Sequence, residues 1–157
     1  FGGPNFPPEA VKFWEDALER NYDVDIKDFP FWLLTSRSMQ YSGGANVTVP
    51  LMNEMADNIK GQDGVMINAK VARQIGITDG DMIEVRSPVG HTHARARLRE
   101  GIRPDVLIIT GQFGHWKTPL AKDKNRASLN DIVPMHLDFI DSMGSINDMV
   151  KANVRPV

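Results

Sequence analysis

The chain has 157 residues, of which 41% are hydrophobic and 24% charged, and its formal net charge is −2. This is the composition of one globular domain, and the small negative charge argues against a general nucleic-acid-binding protein. The lack of cysteine excludes a disulfide framework, a cysteine-ligated zinc or iron–sulfur centre and a cysteine nucleophile within the sequence.

Nothing in the sequence suggests direct insertion into a membrane. No apolar run approaches the roughly 20 residues that a membrane-spanning helix needs. The first residue is Phe1 and not Met, and no charged segment followed by an apolar stretch opens the chain. We therefore expect a piece of a longer polypeptide, with any targeting signal lying upstream.

The first part of the chain predicts one helix and one strand. Residues 1–8 are rich in glycine and proline and are interpreted as a linker. Apolar residues at helical spacing after Pro8 predict a helix over Ala10–Arg20. After Pro30, the apolar run Phe31–Thr35 is typical of a strand.

The middle of the chain predicts short strands separated by tight turns. Gly76 is placed to end a short helix, and Asp79-Gly80 is typical of a tight turn. Evenly spaced short strands indicate an antiparallel-rich barrel or sandwich. The predicted elements are strands at Val65–Ile67, Met82–Val85, Ala94–Leu98 and Val106–Thr110, and a helix over Ala69–Ile75. Beyond Gly111 no clear period is present, and Lys151 is assigned to a last loop.

A pattern of residues between Ile67 and Pro104 carries a family resemblance. It comprises Ile-Asn-Ala-Lys-Val-Ala from Ile67, Gly76-Ile77, Gly80-Asp81, Ile-Glu-Val and Gly-Ile-Arg-Pro ending at Pro104. The chain resembles the C-terminal molybdopterin-dinucleotide-binding domain of the dimethyl-sulfoxide-reductase family of molybdenum and tungsten oxidoreductases. That family includes thiosulfate, polysulfide and arsenate reductases.

The resemblance implies a mainly β fold with short helices. It extends from about Phe31 to about Val154, and the family's fold there is a six-stranded double-psi β-barrel. We therefore divide the chain into a linker and N-terminal helix over residues 1–30 and a barrel domain over residues 31–157. The glycine–aspartate part of the pattern also occurs in double-psi barrels that bind no molybdopterin.

Three further segments make the resemblance specific for the cofactor-binding domain: Thr35-Ser36-Arg37, the run Gly111–Trp116, and Asn130. The cofactor is a dianionic dinucleotide of pterin, diphosphate, ribose and guanine, which requires hydrogen-bond donors, a cation and close approach to the backbone. The resemblance implies cofactor contacts from Thr35, Ser36, Arg37, Ser38, Asn68, Gly111, Gln112, Phe113, Gly114, His115 and Asn130.

Each of these residues also has a simpler interpretation. The residues after the first strand could be a solvated strand end, Asn68 a helix N-cap, and Gly111–Gly114 a flexible turn. A single histidine such as His115 is more often structural than catalytic. Asp81 is interpreted as a turn carboxylate.

Basic residues elsewhere predict no catalytic or metal site. His91 and His93 share one face of a strand, but no third ligand is spaced to complete a metal site, so both are interpreted as solvated. Arg95, Arg97 and Arg99 form a basic strip, interpreted as a solvated face or as a contact with the rest of the parent subunit.

The resemblance implies a cofactor-binding domain without a catalytic residue of its own. The metal ligand and the iron–sulfur cluster of the family lie in other regions, and redox chemistry belongs to the cofactor. Expected partners are the remaining domains of the parent and an electron-transfer subunit, with no nucleic acid. Two alternatives remain: a stand-alone barrel subunit of a formylmethanofuran-dehydrogenase-type complex, and a double-psi barrel that binds proteins without a cofactor.

Overall fold

The computed structural model describes residues 8–41, 44–59, 61–111, 113–114, 126–140, 143–144 and 150–157. The strands are β1 (Phe31–Ser36), β2 (Val65–Asn68), β3 (Met82–Arg86), β4 (His91–Arg99), β5 (Val106–Thr110) and β6 (Val150–Pro156). The helices are α1 (Pro8–Tyr22), α2 (Pro50–Asp57) and α3 (Ala69–Gln74). None of the helices in these ranges is long and apolar enough to span a membrane.

The six strands form a closed barrel in the order β1-β5-β2-β4-β3-β6. The pairs β1–β5 and β2–β4 are parallel, and the other four pairs are antiparallel. Exchanging β1, β2 and β3 with β4, β5 and β6 leaves both the order and the strand directions unchanged. The barrel therefore has a pseudo-twofold topology, and the double-psi β-barrel that the resemblance implied is confirmed.

The barrel interior is apolar because side chains alternate along each strand. On β4, Ala94 and Ala96 are fully buried, whereas the intervening Arg95 is exposed, as the sequence alternation predicted. The other fully buried residues of the core include Leu33, Val65, Ile83, Val85, Leu107, Ile109 and Val150.

The turn between α3 and β3 is pinned to the barrel by its own polar groups. Asp81 Oδ2 accepts hydrogen bonds from the backbone N–H of Thr78 at 2.8 Å and from its hydroxyl at 2.7 Å. These bonds hold the pKa of Asp81 below its ordinary value. Gly76 ends α3 with φ of 77°, a conformation that favours glycine. The predictions of a turn carboxylate and a C′ glycine are confirmed.

Two elements were not predicted from the sequence. β6 contains Lys151, so its assignment to a loop was wrong; inward-facing Val150, Ala152 and Val154 did carry a period-two signal. α2 begins with a proline at its first turn, which is the usual helix-start signal. It lies in the long connection between β1 and β2.

Helix α1 is anchored to the rest of the chain. Trp14 stacks on Phe139 with ring centroids 4.9 Å apart, and Ala17 and Leu18 are buried in the same cluster. Arg20 forms a 2.7 Å ion pair with Asp138. The predicted helix is confirmed, and its buried face packs around Phe139.

Candidate functional site

The carboxyl ends of β1 and β5 meet at one end of the barrel. In the parallel register Ser36 lies opposite Thr110, and their hydroxyl oxygens are 3.1 Å apart. The backbone N–H of Gly111 donates to the carbonyl of Ser36 at 3.2 Å. The barrel therefore joins the two segments that the resemblance had singled out, although they are far apart in sequence.

This end of the barrel presents hydroxyl groups and a cation. Thr35 and Ser36 are partly exposed, Arg37 is exposed, and Ser38 and Thr110 are buried. No carboxylate occurs among residues 35–38 or 110–114. Within these two segments Arg37 carries the one charge and the hydrogen-bonding groups are donors as well as acceptors, which suits an anionic ligand.

The two glycines after β5 are required by contacts within the chain. A Cβ at Gly111 would lie 3.0 Å from Cδ2 of Leu129. Gly114 has φ of 84°, and a Cβ there would overlap the carbonyl oxygen of Ala127. Gly114 thus admits the backbone of Ala127 and Gly111 lies against Leu129. Close approach of a ligand to these glycines, which the sequence suggested, stays a prediction.

Phe113 contributes its side chain to a small second core. It is 4% exposed, packs edge-to-face on Tyr41 with centroids 5.6 Å apart, and lies 5.5 Å beneath the guanidinium of Arg126. Arg126 pairs with Asp57 of α2 at 2.7 Å. This core fastens the β1–β2 connection to the loop after β5, and the sequence analysis did not find Tyr41 or Arg126.

The hydroxyl of Tyr41 helps to fix the same connection. Burial, reinforced by the negative charge of Asp57, raises the pKa of Tyr41 above its ordinary value. The hydroxyl therefore stays protonated and donates to Oδ1 of Asn53 at 2.8 Å. Asn53 in turn donates to the carbonyl of Val47 at 2.6 Å.

Asn130 is presented above the same end of the barrel. It is exposed on the short 3₁₀ turn Leu129–Asp131. The backbone N–H of Ser128 donates to the hydroxyl of Thr92 on β4 at 2.9 Å, and Leu129 contacts Gly111. The amide of Asn130 thus faces solvent from a segment that is fixed on both sides.

Asn68 lies at the opposite end of the barrel. Because β2 is antiparallel to β5, the end of β2 pairs toward the start of β5. The side-chain oxygen of Asn68 accepts from the N–H groups of Lys70 at 3.0 Å and Val71 at 3.3 Å, and its amide donates to Ile102 at 2.6 Å. The N-cap interpretation is confirmed. The structure does not bring Asn68 together with the other candidates, and Gln112 and His115 lie outside the described residues.

One buried acceptor near this end of the barrel fits a ligand with N–H groups. Gln40 follows the end of β1 and carries a buried side-chain oxygen without a hydrogen bond within the described chain. Gln62 carries a similar oxygen, but its neighbours Gly61 and Asp63 contact Arg99 and Arg97 on the outer side of β4. Purine and pterin rings carry N–H groups that such oxygens accept. Within the described ranges, no three His, Asp or Glu side chains are grouped to hold a metal.

A family model described as the molydopterin dinucleotide binding domain matches residues 31–156. The chain belongs to this family of molybdopterin-dinucleotide-binding domains. The match covers the whole barrel from β1 to β6, so the resemblance to the dimethyl-sulfoxide-reductase family is confirmed.

Curated relatives agree with the family match. Over 127 residues the chain is 31% identical to the arsenate respiratory reductase molybdopterin-containing subunit ArrA of Chrysiogenes arsenatis, covering 74% of this chain and 15% of that protein. Over 119 residues it is 30% identical to the thiosulfate reductase molybdopterin-containing subunit PhsA of Salmonella typhimurium, covering 69% and 15%. The chain thus spans about 15% of the length of these relatives.

A solved structure supports the fold. Acetylene hydratase from Pelobacter acetylenicus matches with a TM-score of 0.65 at 13% identity, covering 88% of this chain and 20% of that one. At this identity the match concerns the fold alone. The barrel therefore has the same architecture as one part of a much longer protein.

Proposed function

We propose that this domain binds the dinucleotide half of molybdopterin guanine dinucleotide within the larger catalytic subunit of a molybdenum or tungsten oxidoreductase. The observation that carries the proposal is the junction of β1 and β5, where Ser36 and Thr110 meet beside the glycine loop. A family that binds a dinucleotide needs an anion site, and this junction is the part of the described chain where hydroxyls and an exposed arginine converge.

The diphosphate is the ligand group best matched to this junction. One of the Ser36 and Thr110 hydroxyls donates to the other, which leaves one hydroxyl hydrogen of the pair for a phosphate oxygen, and Arg37 can supply the charge. Thr35 and Ser38 flank them on the same strand end. The redox chemistry is supplied by the metal and dithiolenes of the bound cofactor, whereas these residues hold and orient its nucleotide part.

The guanine edge is assigned to amide groups. Asn130 offers a donor and an acceptor from a fixed and exposed turn, and the buried oxygen of Gln40 is an acceptor for a ring N–H group. The loop that contains Gly111, Phe113 and Gly114 contributes backbone, since the Phe113 side chain is buried in the second core. Contacts from Gln112 and His115 remain predictions of the resemblance. The cofactor contact that the resemblance implies for Asn68 also stays a prediction, and the site proposed here at the β1–β5 junction does not include it.

The larger context is also part of the proposal. Relatives of this domain are molybdopterin-containing subunits of arsenate and thiosulfate reductases, and each is several times longer than this chain. We infer that the metal ligand, the iron–sulfur cluster and the substrate-facing residues belong to other parts of the parent polypeptide. The partners are then those other parts and an electron-transfer subunit.

Guanosine diphosphate provides a direct test, because it carries the diphosphate and guanosine of the cofactor. We expect Arg37→Gln to weaken its binding, measured by titration calorimetry or amide shifts, by about tenfold, the effect of one charge-assisted hydrogen bond. Arg103→Gln is the matched control, an exposed arginine at the opposite end of the barrel. Equal weakening by both variants, or no binding to the unmodified chain, would reject the assigned site and favour a barrel that binds proteins instead.

A further inference from the structure

The outer face of β4 carries an uninterrupted row of basic side chains. While Thr92, Ala94 and Ala96 point into the barrel, the alternate positions point outward. Four of these five outward residues are exposed, and Arg97 is partly exposed. The row consists of His91, His93, Arg95, Arg97 and Arg99.

Neighbouring strands extend this row sideways. In the ladder, Glu84 and Arg86 of β3 lie opposite His93 and His91, and β6 places Arg155 beside Glu84. We define the basic face as the outer surface of β3, β4 and β6, comprising Glu84, Arg86, His91, His93, Arg95, Arg97, Arg99, Asn153 and Arg155.

Carboxylates neutralise the basic face only in part. Glu84 accepts two bonds from Arg155, at 3.0 and 3.1 Å, and Asp63 pairs with Arg97 at 2.9 Å. Asp79 and Asp81 lie beside β4, where Asp79 accepts from the backbone N–H of Leu98 at 2.7 Å. Five arginines against these four carboxylates give a local charge of +1, whereas the whole chain has −2. In the described part of the chain, Arg86, Arg95 and Arg99 have no ion pair with a carboxylate.

A shallow groove crosses the basic face. It has a volume of about 290 Å³ and runs between Arg155 of β6 and the turn Ser87–Gly90, with Arg86 and His91 on its walls. Ser87 is 2% exposed and its N–H donates to the carbonyl of Gly90 at 2.8 Å, so this wall is fixed. The groove can seat a polar side chain or a short peptide segment.

We propose that the basic face docks an acidic, extended segment of a second polypeptide. Outward side chains recur along a strand at about 7 Å and across strands at about 4.8 Å. One small anion therefore cannot reach the whole set, whereas acidic residues at alternate positions of an extended chain match its spacing.

Nucleic acid fits this surface less well than an acidic peptide. The basic face contains no Phe, Tyr or Trp on which bases would stack, and the chain as a whole is negatively charged. The two sites adjoin where Gly90 lies against Asp131, next to Asn130. The docking proposal is therefore tested at Arg86 and Arg95, which are not residues of the proposed cofactor site.

The test uses a synthetic decapeptide of alternating glutamate and serine. We expect its amide shift changes to cluster on β3, β4 and β6. We also expect the double variant Arg86→Glu with Arg95→Glu to bind about tenfold more weakly, since rim charges govern such contacts. The control is Lys12→Glu with Lys27→Glu, which makes the same charge change on exposed residues of the N-terminal region and should leave the affinity nearly unchanged.

Three results would overturn the proposal. The first is that the control variant weakens peptide binding as much as the arginine variant does. The second is that a peptide with glutamine in place of glutamate binds as tightly as the acidic peptide. The third is that a single-stranded oligonucleotide of the same charge binds more tightly than the acidic peptide. If the charge-reversed variant does not fold, Arg86→Gln with Arg95→Gln serves instead, with a weakening of about threefold expected. Retained binding of guanosine diphosphate by these variants separates this surface from the cofactor site.

Discussion

The two ends of the barrel are equivalent in topology and different in chemistry. At one end the parallel strands β1 and β5 finish together at Ser36 and Thr110; at the other, β4 and β2 finish together at Arg99 and Asn68. The pseudo-twofold arrangement exchanges these pairs. At the second end Asn68 caps α3 and bonds to Ile102, so its polar groups are used within the chain.

We refer to the first end, where Ser36 is partly exposed and Arg37 is exposed, as the open end, and to the second as the closed end. Phe113 and Arg126 fasten the loop to α2, and Leu129 rests on Gly111. The comparison supports the proposal that one copy of the repeated connection serves stability while the other serves binding.

We expect the largest loss of stability from a substitution of Gly114, because its backbone lies against the carbonyl of Ala127. In Gly114→Ala the added Cβ would collide with the carbonyl of Ala127, and φ of 84° is unfavourable for alanine. We expect a loss of about 3 kcal/mol in the free energy of unfolding, measured in urea. Gly76→Ala is the control for strain alone: its φ is 77°, no described atom lies within 4 Å of the added Cβ, and the cost should be about 1 kcal/mol. Equal costs would show that the Ala127 contact is not required.

The next effect concerns the closed end. Asn68→Ala removes the cap of α3 and the bond to Ile102, so we expect a loss of about 2 kcal/mol in thermal or urea unfolding, with binding of guanosine diphosphate unchanged. Asn130→Ala is its counterpart at the open end and should cost less than about 0.5 kcal/mol, because the side chain is exposed. A binding defect in Asn68→Ala without loss of stability would reverse the assignment of the two ends.

The smallest effect is electrostatic and lies on the outer face of the barrel. The hydrogen bonds and charge of Arg155 hold the pKa of Glu84 below its ordinary value of 4.5. The stabilisation is therefore complete above that value and is lost as pH falls through the lower pKa of the folded state. We expect Arg155→Gln to cost about 1 kcal/mol at pH 7, since the arginine is largely exposed.

The pH dependence of the free energy of unfolding distinguishes the Glu84–Arg155 ion pair from a contribution of packing alone. Urea unfolding of Arg155→Gln should show a shallower loss of stability between pH 5 and 3 than the unmodified chain, because its Glu84 titrates nearer to the ordinary value. A parallel loss in both proteins would contradict a role for Arg155 in lowering this pKa.

Local patterns in the sequence predicted most of the barrel. The alternation of Ala94 and Ala96 with arginines follows from the period of a β-strand. The glycine at the end of α3, Gly76, follows from the left-handed backbone conformation required there. Both signals lie within a few consecutive residues, so the sequence alone reveals them. β6 was missed because Lys151 and Asn153 obscured a short alternation.

The site was predicted less completely because it depends on contacts between distant segments. The resemblance pointed to Ser36 and Gly111, and the barrel register explains why they meet. It could not show that Gly114 accommodates Ala127, or that Arg126 packs on Phe113, because these contacts depend on how separate loops fold over the strands.

The difference between the two barrel ends can be measured most directly by amide NMR during a titration with guanosine diphosphate. We predict that shift changes cluster on Thr35–Ser38 and on Thr110–Gly114, and that Asn68 and the first turn of α3 do not respond. Changes centred on Asn68 and α3, or an absence of changes at the ends of β1 and β5, would contradict the account.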